Sequence, residues 1–526
     1  MFSLKHQPLT ITLLNIGWFV SVQAGVASTF AGSPTSANFP PSGAIVSAHD
    51  SFFPGASAVG FAGPTPTGDE ADSVVTAPAV AKMDNIFPLI KPDSADTKSK
   101  LWDTLPVASV KSFGLPNTSP LIPKDCELSE VHLLHRHGAR YPSDGSLRAA
   151  FAGALNAVAT RGNLSASGPL NFINTWRYRL GAEILTPFGR SELFNLGVGF
   201  RMKYSDLLKV FKDLPVFRTA SQARMVDSAL HFAVGFFGVQ DFQREYHQLI
   251  TIEEEGFNNT LSPYFQCQNG GNEIAGLGSD KALQWADIYL RPAIARLGRF
   301  LEGYDLQVED LVAMQLLCAY ETNALGYSAF CHLFTEEEWK GFNYFIDLSL
   351  LYGAGPGNPA SSAMGIGYVQ EVVSRLTQEQ ITQFKTTVNG TIPIYVDATH
   401  DIVLSRILVA MNFTSLAANG PLPIDHIPEN QISPFASNLV GQVLECPTGA
   451  SKATHIRWLL NDAVLPLTGI SGCKPHSNGL CELSTFITGM RQRIEEVDFW
   501  FDCFGNYTVP NPDYITNGQF PPNLRN

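Results

Sequence analysis

A stretch of seven residues, 136–142, holds the side chains of this sequence that are best suited to act on phosphate; it reads Arg-His-Gly-Ala-Arg-Tyr-Pro. The planar fork of an arginine matches the oxygens of a phosphate group, and an imidazole can attack phosphorus. Gly138 allows the backbone to turn closely beside a bound group. The alternative is a basic surface turn with an incidental histidine. The position of the stretch, directly after a predicted strand, favours the chemical interpretation.

That strand is predicted over residues 130–136, because the run Glu-Val-His-Leu-Leu-His-Arg is mostly apolar and Gly138 follows it closely. In open α/β sheets, ligands bind at the carboxyl ends of the strands. A second strand is predicted over 392–396, and the dipeptide His400-Asp401 follows it after a short gap. A lone His-Asp pair after a strand is more typical of a polar turn, so this pair gains its significance from the first stretch.

Strands and helices alternate along the rest of the chain. Further strands are predicted over 214–218 and 248–252, and helices over 222–237, 280–301, 309–325, 367–377 and 405–411 and from the capping box at Thr335. This alternation on both sides of a helix-rich middle predicts an α/β sheet domain with an inserted or flanking smaller α-helical domain, the insertion covering roughly residues 260–370.

The first hundred residues differ in composition from the rest. Residues 1–24 have the features of a signal peptide, since Lys5 and His6 precede a 14-residue run that is mostly apolar. That run is shorter than the ~20 residues that cross a bilayer, so no stable membrane anchor is expected. Residues 25–100 are predicted to be a flexible low-complexity segment, because 32 of the 44 residues 25–68 are Gly, Ala, Ser, Thr or Pro. One globular unit is predicted over 101–526.

Charge and cysteine content restrict the possible partners and compartment. The 526 residues include 35 Lys and Arg against 48 Asp and Glu, a net charge of −13. A surface this acidic repels phosphodiester backbones, which argues against nucleic-acid binding, although a locally positive pocket can accept a small anion. Eight cysteines without a Cys-x-x-Cys pair predict disulfides in an oxidising compartment. Six sequons add candidate glycosylation sites, at Asn117, Asn163, Asn258, Asn389, Asn412 and Asn506.

The seven-residue stretch resembles the signature of the histidine acid phosphatases, in particular the secreted fungal phytase and acid phosphatase branch. Segments 258–261 and 365–376 are also similar to this family, as is Thr399-His400-Asp401. The resemblance implies a phosphoglycerate-mutase-like α/β fold, secretion to the extracellular space and hydrolysis of phosphate monoesters at acidic pH. A small phosphorylated molecule is the implied substrate, no cofactor or metal is implied, and a homo-oligomer is possible.

The resemblance also assigns roles to individual residues. His137 attacks the phosphomonoester and becomes a phosphohistidine, and Asp401 protonates the leaving alkoxide. The phosphoryl oxygens are held by Arg136, Arg140, Arg224 and His400. Arg218 is the alternative to Arg224. The disulfides implied are Cys126–Cys446, Cys267–Cys503, Cys318–Cys331 and Cys473–Cys481.

Two features leave the substrate open. Many relatives carry a small polar residue after the His-Asp pair, where this chain has Ile402, and the segment 143–148 holds one arginine where phytases are often more basic. Phytate, myo-inositol hexakisphosphate, is therefore a possible substrate, and a broad acid phosphatase with little phytase activity is the alternative. A mutase or sugar bisphosphatase of the same fold, and a catalytically silent phosphate-binding glycoprotein, are less favoured.

Two polar clusters are interpreted as not holding a metal ion or other cation. His132, His135 and His137 could suggest a metal site, but on a strand His132 points away from the other two. The acidic run 253–255 is predicted to be a solvated strand end.

Overall fold

The structure of the chain is a computed structural model that describes residues 114–115, 118–210, 214–271, 273–379, 381, 393–413, 432–448, 451–510 and 514–525. The predicted signal peptide 1–24 and the predicted low-complexity segment 25–100 lie outside the described residues. The sequons at Asn117 and Asn389 lie outside them as well.

A mixed sheet forms the centre of the molecule. The strands of the described chain are β1 (Glu127–Arg136), β2 (Ser165–Ala166), β3 (Val216–Ala220), β4 (His247–Thr251), β5 (Leu301–Glu302), β6 (Ile394–Thr399), β7 (Asn438–Thr448), β8 (Ser451–Leu460), β9 (Ala463–Val464) and β10 (Cys481–Glu482). The order in the main sheet is β10-β8-β7-β1-β6-β3-β4, with β9 beside β8, while β2 pairs with β5 separately. From β1 to β4 the neighbours run parallel, and from β1 to β10 they run antiparallel.

The parallel pairing of β1 and β6 places the two sequence motifs beside each other. Arg136, the last residue of β1, lies opposite Thr399, the last residue of β6. The backbone N–H of His137 then donates to the carbonyl of Thr399 over 3.2 Å. Because both strands end at the same edge of the sheet, the residues after them share one site.

Twelve α-helices surround the sheet in the described part of the chain. They are α1 (Leu147–Thr160), α2 (Pro187–Tyr204), α3 (Ala223–Phe237), α4 (Phe242–Glu245), α5 (Glu273–Tyr289), α6 (Arg291–Gly298), α7 (Val308–Leu325), α8 (Glu336–Gly353), α9 (Ser361–Thr377), α10 (Asp401–Ala410), α11 (Leu483–Glu496) and α12 (Phe499–Phe504).

Several helix boundaries differ from the prediction. The helix predicted over 280–301 is two helices, because Pro292 cannot continue α5 but fits the first turn of α6. Helix α9 begins at Ser361, six residues before the predicted start. Helix α10 begins at Asp401, not at Ser405, with His400 as its N-cap residue in extended conformation. Asp401 therefore lies in the first turn of α10, at the carboxyl edge of the sheet where β6 ends.

Helices cover both faces of the sheet. On one face, Val131 and Leu133 of β1 pack with side chains of α2 and α3. On the other face, Leu134 packs with side chains of α9, α10 and α11. Burial on both faces explains why the signature strand reads as an almost continuous apolar run.

A second core lies in a helical lobe beside the sheet. It is built from α5 to α8 together with α1, and Trp339 is buried within it at 1% exposure. The lobe therefore combines residues from before and after the sheet strands β3 and β4. Helix α8 opens with the predicted capping box, in which Thr335 and Glu338 bond each other's backbone.

The cysteines form the four disulfides that the family resemblance implies. The structure contains the bonds Cys126–Cys446, Cys267–Cys503, Cys318–Cys331 and Cys473–Cys481. The first two join segments that are 320 and 236 residues apart. Across the described ranges, none of the helices has both the length and the apolar character required to span a bilayer.

Candidate active site

The loop after β1, residues 137–141, is packed closely against α2. A Cβ atom added to Gly138 would lie 2.2 Å from the carbonyl oxygen of Gly189, so only glycine fits there. The Ala139 carbonyl accepts from the N–H of Thr186 over 2.9 Å. The Ala139 N–H donates to the Glu192 carboxylate over 2.8 Å. Both ends of this residue are therefore held by α2 and its N-cap.

His137 is buried at 1% exposure, and its hydrogen bond determines which ring nitrogen can react. Nδ1 donates to the carbonyl of Gly138 over 2.8 Å, which leaves the lone pair on Nε2. Burial lowers the pKa of His137 well below its usual value, and the charges of Arg136, Arg140, Arg224 and His400 lower it further. The imidazole is therefore neutral and nucleophilic even in acid.

Arg136 points from the end of β1 towards the start of α10. Its Nη2 forms an ion pair with Oδ2 of Asp401 at 2.7 Å. Its Nη1 donates to the Ser433 carbonyl over 2.5 Å, and its guanidinium lies 4.2 Å from the ring centre of Phe435. These contacts orient the guanidinium beside His137.

Arg224 lies in the first turn of α3, and that helix is joined to the signature loop. The Ser228 hydroxyl donates to the Arg224 carbonyl over 2.7 Å and accepts from the Gly138 N–H over 3.2 Å. The Arg224 guanidinium donates to Glu183. Burial and the charge of Arg140 lower the pKa of Arg224. The structure thus brings Arg224 into the same electrostatic environment as His137 and Arg140.

Arg218, the alternative to Arg224, lies in a different place. It is buried on β3, facing α9, where its Nε donates to Asp397 over 2.6 Å and its Nη2 to Glu371 over 2.7 Å. Burial opposes the charge, but Asp397 and Glu371 raise the pKa of Arg218 well above its usual value. Its Nε and Nη2 both bond to buried carboxylates, so Arg224 is the arginine that the geometry favours for phosphate.

His400 lies beside His137, with ring centres 5.8 Å apart. Its Nε2 is 3.0 Å from Oε2 of Glu253, and the Tyr264 hydroxyl donates to the other carboxylate oxygen. Burial raises the pKa of Glu253, but the bonds with His400 and Tyr264 and the charge of Arg224 lower it overall. An ionised Glu253 thus orients the His400 ring.

The prediction of a solvated strand end over 253–255 is therefore wrong at Glu253, which is buried, and correct for its two exposed neighbours. Glu253 follows β4 at the same edge of the sheet as the other site residues, and its N–H donates to the Ser221 hydroxyl over 2.9 Å. The signal available in the sequence was its position directly after a predicted strand.

Asp401 is supported by the backbone of the residue that departs from the family pattern. The N–H of Ile402 donates to Oδ1 of Asp401 over 2.7 Å, while the Ile402 side chain packs partly buried against the core. Burial raises the pKa of Asp401, but Arg136 and Arg140 lower it to about 2. The carboxylate is ionised in the free protein, and its support does not require a polar side chain at 402.

The remaining histidines of β1 have structural contacts. His132 lies 2.6 Å from the Glu130 carboxylate and stacks on Tyr395 at 4.8 Å. His135 bonds the Arg136 carbonyl through Nδ1, and burial lowers its pKa to about 4. Within the described ranges, no group of three or more His, Cys, Asp or Glu side chains is arranged to hold a metal ion.

The described sequons differ in accessibility. Asn163, Asn258 and Asn506 are exposed. Asn412 is half-buried, and its amide nitrogen donates to the Gly469 carbonyl over 2.6 Å. Glycosylation at each of these positions stays a prediction, and Asn412 is the least accessible of the four.

Comparison with known proteins is consistent with this geometry. The sequence profile of the histidine phosphatase superfamily (branch 2) matches residues 127–461. Phytase A of Aspergillus fumigatus is 30% identical over 420 residues, which is 74% of this chain and 87% of that protein. The thiamine-repressible acid phosphatase of Schizosaccharomyces pombe is 30% identical over 411 residues, 73% of this chain and 85% of that protein. The crystal structure of the phytase from D. castellii has the same fold, with a TM-score of 0.63 and 23% identity over 78% of this chain and 88% of that one.

Proposed function

Because this chain belongs to the histidine phosphatase superfamily (branch 2) and is a phosphatase, we propose that it hydrolyses phosphate monoesters through a phosphohistidine intermediate on His137. The observation that carries the proposal is the neutral Nε2 of His137, which lies among the charges of three arginines and beside His400. Proteins that only bind phosphate have no need of a nucleophile with a free lone pair.

In the first step, Nε2 of His137 attacks the phosphorus atom, the nitrogen–phosphorus bond forms and the bond to the alcohol oxygen breaks. The Nδ1–H bond to the Gly138 carbonyl stabilises the ring as it becomes positively charged. The guanidiniums of Arg136, Arg140 and Arg224, with His400, bind the phosphoryl oxygens whose charge spreads in the transition state.

Asp401 supplies a proton to the leaving alkoxide, which is a poor leaving group without one. In the free protein Arg136 and Arg140 keep this carboxyl ionised. A bound phosphate group takes over the charges of both arginines, so the proton affinity of Asp401 rises in the complex. The acid is therefore formed where substrate is bound and where a proton is needed.

In the second step, water attacks the phosphohistidine, the carboxylate of Asp401 accepts a proton from that water, and phosphate leaves with recovery of the Nε2 lone pair. These steps balance without a metal or a redox partner, so activity should persist in EDTA. Loss of activity on chelation would count against this mechanism.

Phytate is the substrate that we propose first, because the relatives named phytase cover most of this chain. The test is phosphate release at acidic pH, with EDTA, from myo-inositol hexakisphosphate and from p-nitrophenyl phosphate in parallel. Release from the inositol compound supports phytase activity. Release from the aryl ester alone supports the second candidate function.

That second candidate is a broad acid phosphatase, and Glu183 favours it. Glu183 is partly exposed, pairs with Arg224 and accepts the Asp144 N–H over 3.0 Å, so a negative charge lies at the rim of the site. A substrate with many phosphates is repelled by this charge more than a monoester is. Glu183→Gln should therefore raise kcat/KM for inositol hexakisphosphate relative to p-nitrophenyl phosphate; an unchanged ratio argues against this role.

A rapid quench with substrate separates an enzyme from a silent binder. Mass spectrometry should detect phosphate on His137 in the quenched protein, and no adduct in His137→Ala. We also propose that the chain is secreted, since its four disulfides suit an oxidising compartment. Expression of the full chain and N-terminal sequencing of the protein in the medium tests this, and retention inside the cell contradicts it.

A further inference from the structure

Glu192 is a buried carboxyl of helix α2 that the steps above do not use. Its Oε2 accepts the N–H of Ala139 over 2.8 Å. Its Oε1 is buried and has no hydrogen-bond partner among the residues that the structure describes. Burial raises the pKa of Glu192, and the positive charge of the Arg136 guanidinium lowers it in part. The Nε of Arg136 is also buried and has no hydrogen-bond partner among the described residues. Such a carboxyl requires an explanation, since an unpaired buried charge is costly.

Glu192 and Thr186 together hold Ala139, Glu192 at its N–H and Thr186 at its carbonyl. Thr186 holds the Ala139 carbonyl through its N–H at 2.9 Å. Its hydroxyl, which donates to Asn323 Oδ1 over 2.8 Å, accepts the Gly189 N–H at the start of α2. A Cβ atom on Gly189 would lie 2.0 Å from the Ala139 carbonyl oxygen. Helix α2 and its N-cap therefore fix Ala139, one of the two residues between the nucleophile and Arg140.

The charge of Glu192 matters because of its position near Arg136. Burial raises the pKa of Glu192 to about 8, although the Ala139 N–H and Arg136 act in the opposite direction. The carboxyl is neutral at the acidic pH where the enzyme is proposed to work. An ionised Glu192 would offset the positive charge of Arg136 and so reduce its attraction for phosphate. Besides Arg136, the polar groups at this contact are the Ala139 amide and, across the loop, the Ser228 hydroxyl at Gly138.

We propose that Glu192 is a positioning residue for the phosphatase reaction: as a neutral carboxyl it holds the Ala139 peptide in place and leaves the charge of Arg136 available to the phosphoryl group. The inference rests on the proposed role of the signature loop. It adds a requirement that the loop itself does not reveal, namely that the group beneath it stays uncharged.

Glu192→Gln tests this directly, because the amide has the shape of a protonated carboxyl and never ionises. At about pH 5 the variant should keep kcat/KM within about twofold of the wild type, whereas Glu192→Leu, which cannot accept the Ala139 N–H, should lose on the order of 10²-fold. The wild type and Glu192→Gln both contain Glu253, His400 and Asp401. A difference in pH dependence between these two proteins therefore reports on Glu192.

Sulfate is the probe, since it keeps two negative charges from about pH 5 to about pH 9, and calorimetric binding needs no turnover. Between about pH 5 and about pH 9, the sulfate affinity of the wild type should fall by a factor about fivefold to tenfold larger than that of Glu192→Gln. Equal losses in both proteins overturn the proposal, as does a Glu192→Gln variant as inactive as Glu192→Leu. Sulfate binding without any phosphatase activity would instead refute the proposed function and leave this role open to the same measurement.

Glu321 provides the matched control. It is a buried carboxyl of the helical lobe whose pKa burial raises to about 7, and it accepts from Trp176 and Ser328 at 2.9 and 2.6 Å. Glu321→Gln removes a comparable buried acid whose two hydrogen-bond partners, Trp176 and Ser328, lie outside the signature loop. It should leave the pH dependence of sulfate affinity as in the wild type. A change equal to that of Glu192→Gln would show that the effect is not specific to the loop.

Discussion

Two groups of arginines lie in the central part of this protein, and they have opposite surroundings. Arg218 on β3 and Arg375 on α9 lie between the sheet and the helix, each bonded to Asp397 at 2.6 and 2.7 Å. Glu371 and the hydroxyl of Tyr368 complete that cluster. At the carboxyl edge of the sheet, the other group surrounds a neutral histidine.

The difference between the groups is the number of carboxylates that each arginine has. In the inner cluster the charges balance, and Arg218 has a pKa well above its usual value because Asp397 and Glu371 outweigh the effect of burial. At the edge, burial and Arg140 lower the pKa of Arg224. Arg218 and Arg375 each pair with two carboxylates, Asp397 and Glu371. Arg136 and Arg224 at the edge each pair with one. The edge arginines therefore keep more of their N–H donors for a phosphate group than the inner arginines do.

The variant with the largest expected effect on turnover removes the nucleophile. His137→Ala should lower turnover by at least ~10⁴-fold with the unfolding temperature nearly unchanged, because the arginines remain but no group can attack phosphorus. Phosphate release and calorimetry measure the two quantities. His135 is the control: it is buried, stacks on Phe232 at 5.3 Å and belongs to the packing of β1. His135→Leu should lower stability and keep turnover; the reverse pattern for the two variants would refute the assignment.

The next test exchanges the two kinds of arginine. Arg224→Ala should lower kcat/KM by about 10²–10³-fold and leave stability similar, since it removes one donor to the phosphoryl oxygens. Arg218→Met should destabilise the fold by about 3–5 kcal/mol, because it leaves two buried carboxylates, Asp397 and Glu371, with Arg375 as their one remaining partner cation among the described residues. The folded variant should retain its activity. Urea unfolding and kinetics on the same samples separate the two effects. A large activity loss in folded Arg218→Met would restore Arg218 as a phosphate ligand.

A third test compares two aspartates, Asp397 and Asp401, that both pair with arginines. Asp401→Asn should slow an alkyl phosphate by about 10²-fold or more and p-nitrophenyl phosphate by about tenfold or less, because a good leaving group needs little protonation. Asp397→Asn should lower stability and affect both substrates alike. Equal losses on both substrates in Asp401→Asn would exclude it as the general acid.

The contrast between the groups also shows what sequence can predict. Residues 136–142 and 400–401 were identifiable because each motif is local and follows a strand. Arg218 and Arg224 could not be separated in this way, since they lie six residues apart and differ in whether a strand interior or a helix start carries them. That assignment depends on where β3 ends, and the predicted end was two residues too early.

The partners of the site residues were missed for a related reason. Glu253 and Glu192 act on His400 and Ala139 across 147 and 53 residues of sequence. Their roles follow from which strand and helix lie next to which, and the order β1-β6-β3-β4 is not a local property. The hairpin of β7 and β8 was also not predicted, although it forms half of the main sheet's antiparallel side.

The smallest effect concerns pH and the inner cluster. Burial raises the pKa of Asp397, but Arg218 and Arg375 lower it well below its usual value. Folding therefore favours the ionised carboxylate, and its contribution to the free energy of unfolding is complete above about pH 3.9, the value for an unfolded aspartate. The contribution is lost progressively as the pH falls from that value through the lower pKa of the folded state.

The contribution of Asp397 to the free energy of unfolding should therefore change little from about pH 6 to about pH 4. At pH values below about 3.5 this contribution should decrease. Asp397→Asn, which has no charge to lose, should have a lower unfolding temperature throughout and a flatter decline in acid. Calorimetry from about pH 2 to about pH 6 compares the slopes. If the decline in acid is as steep in the variant, the carboxylates responsible lie elsewhere, and the edge group, where Asp401 has a pKa of about 2, is the first alternative. The same measurement on Asp401→Asn then decides which arginine group sets the acid limit of the fold.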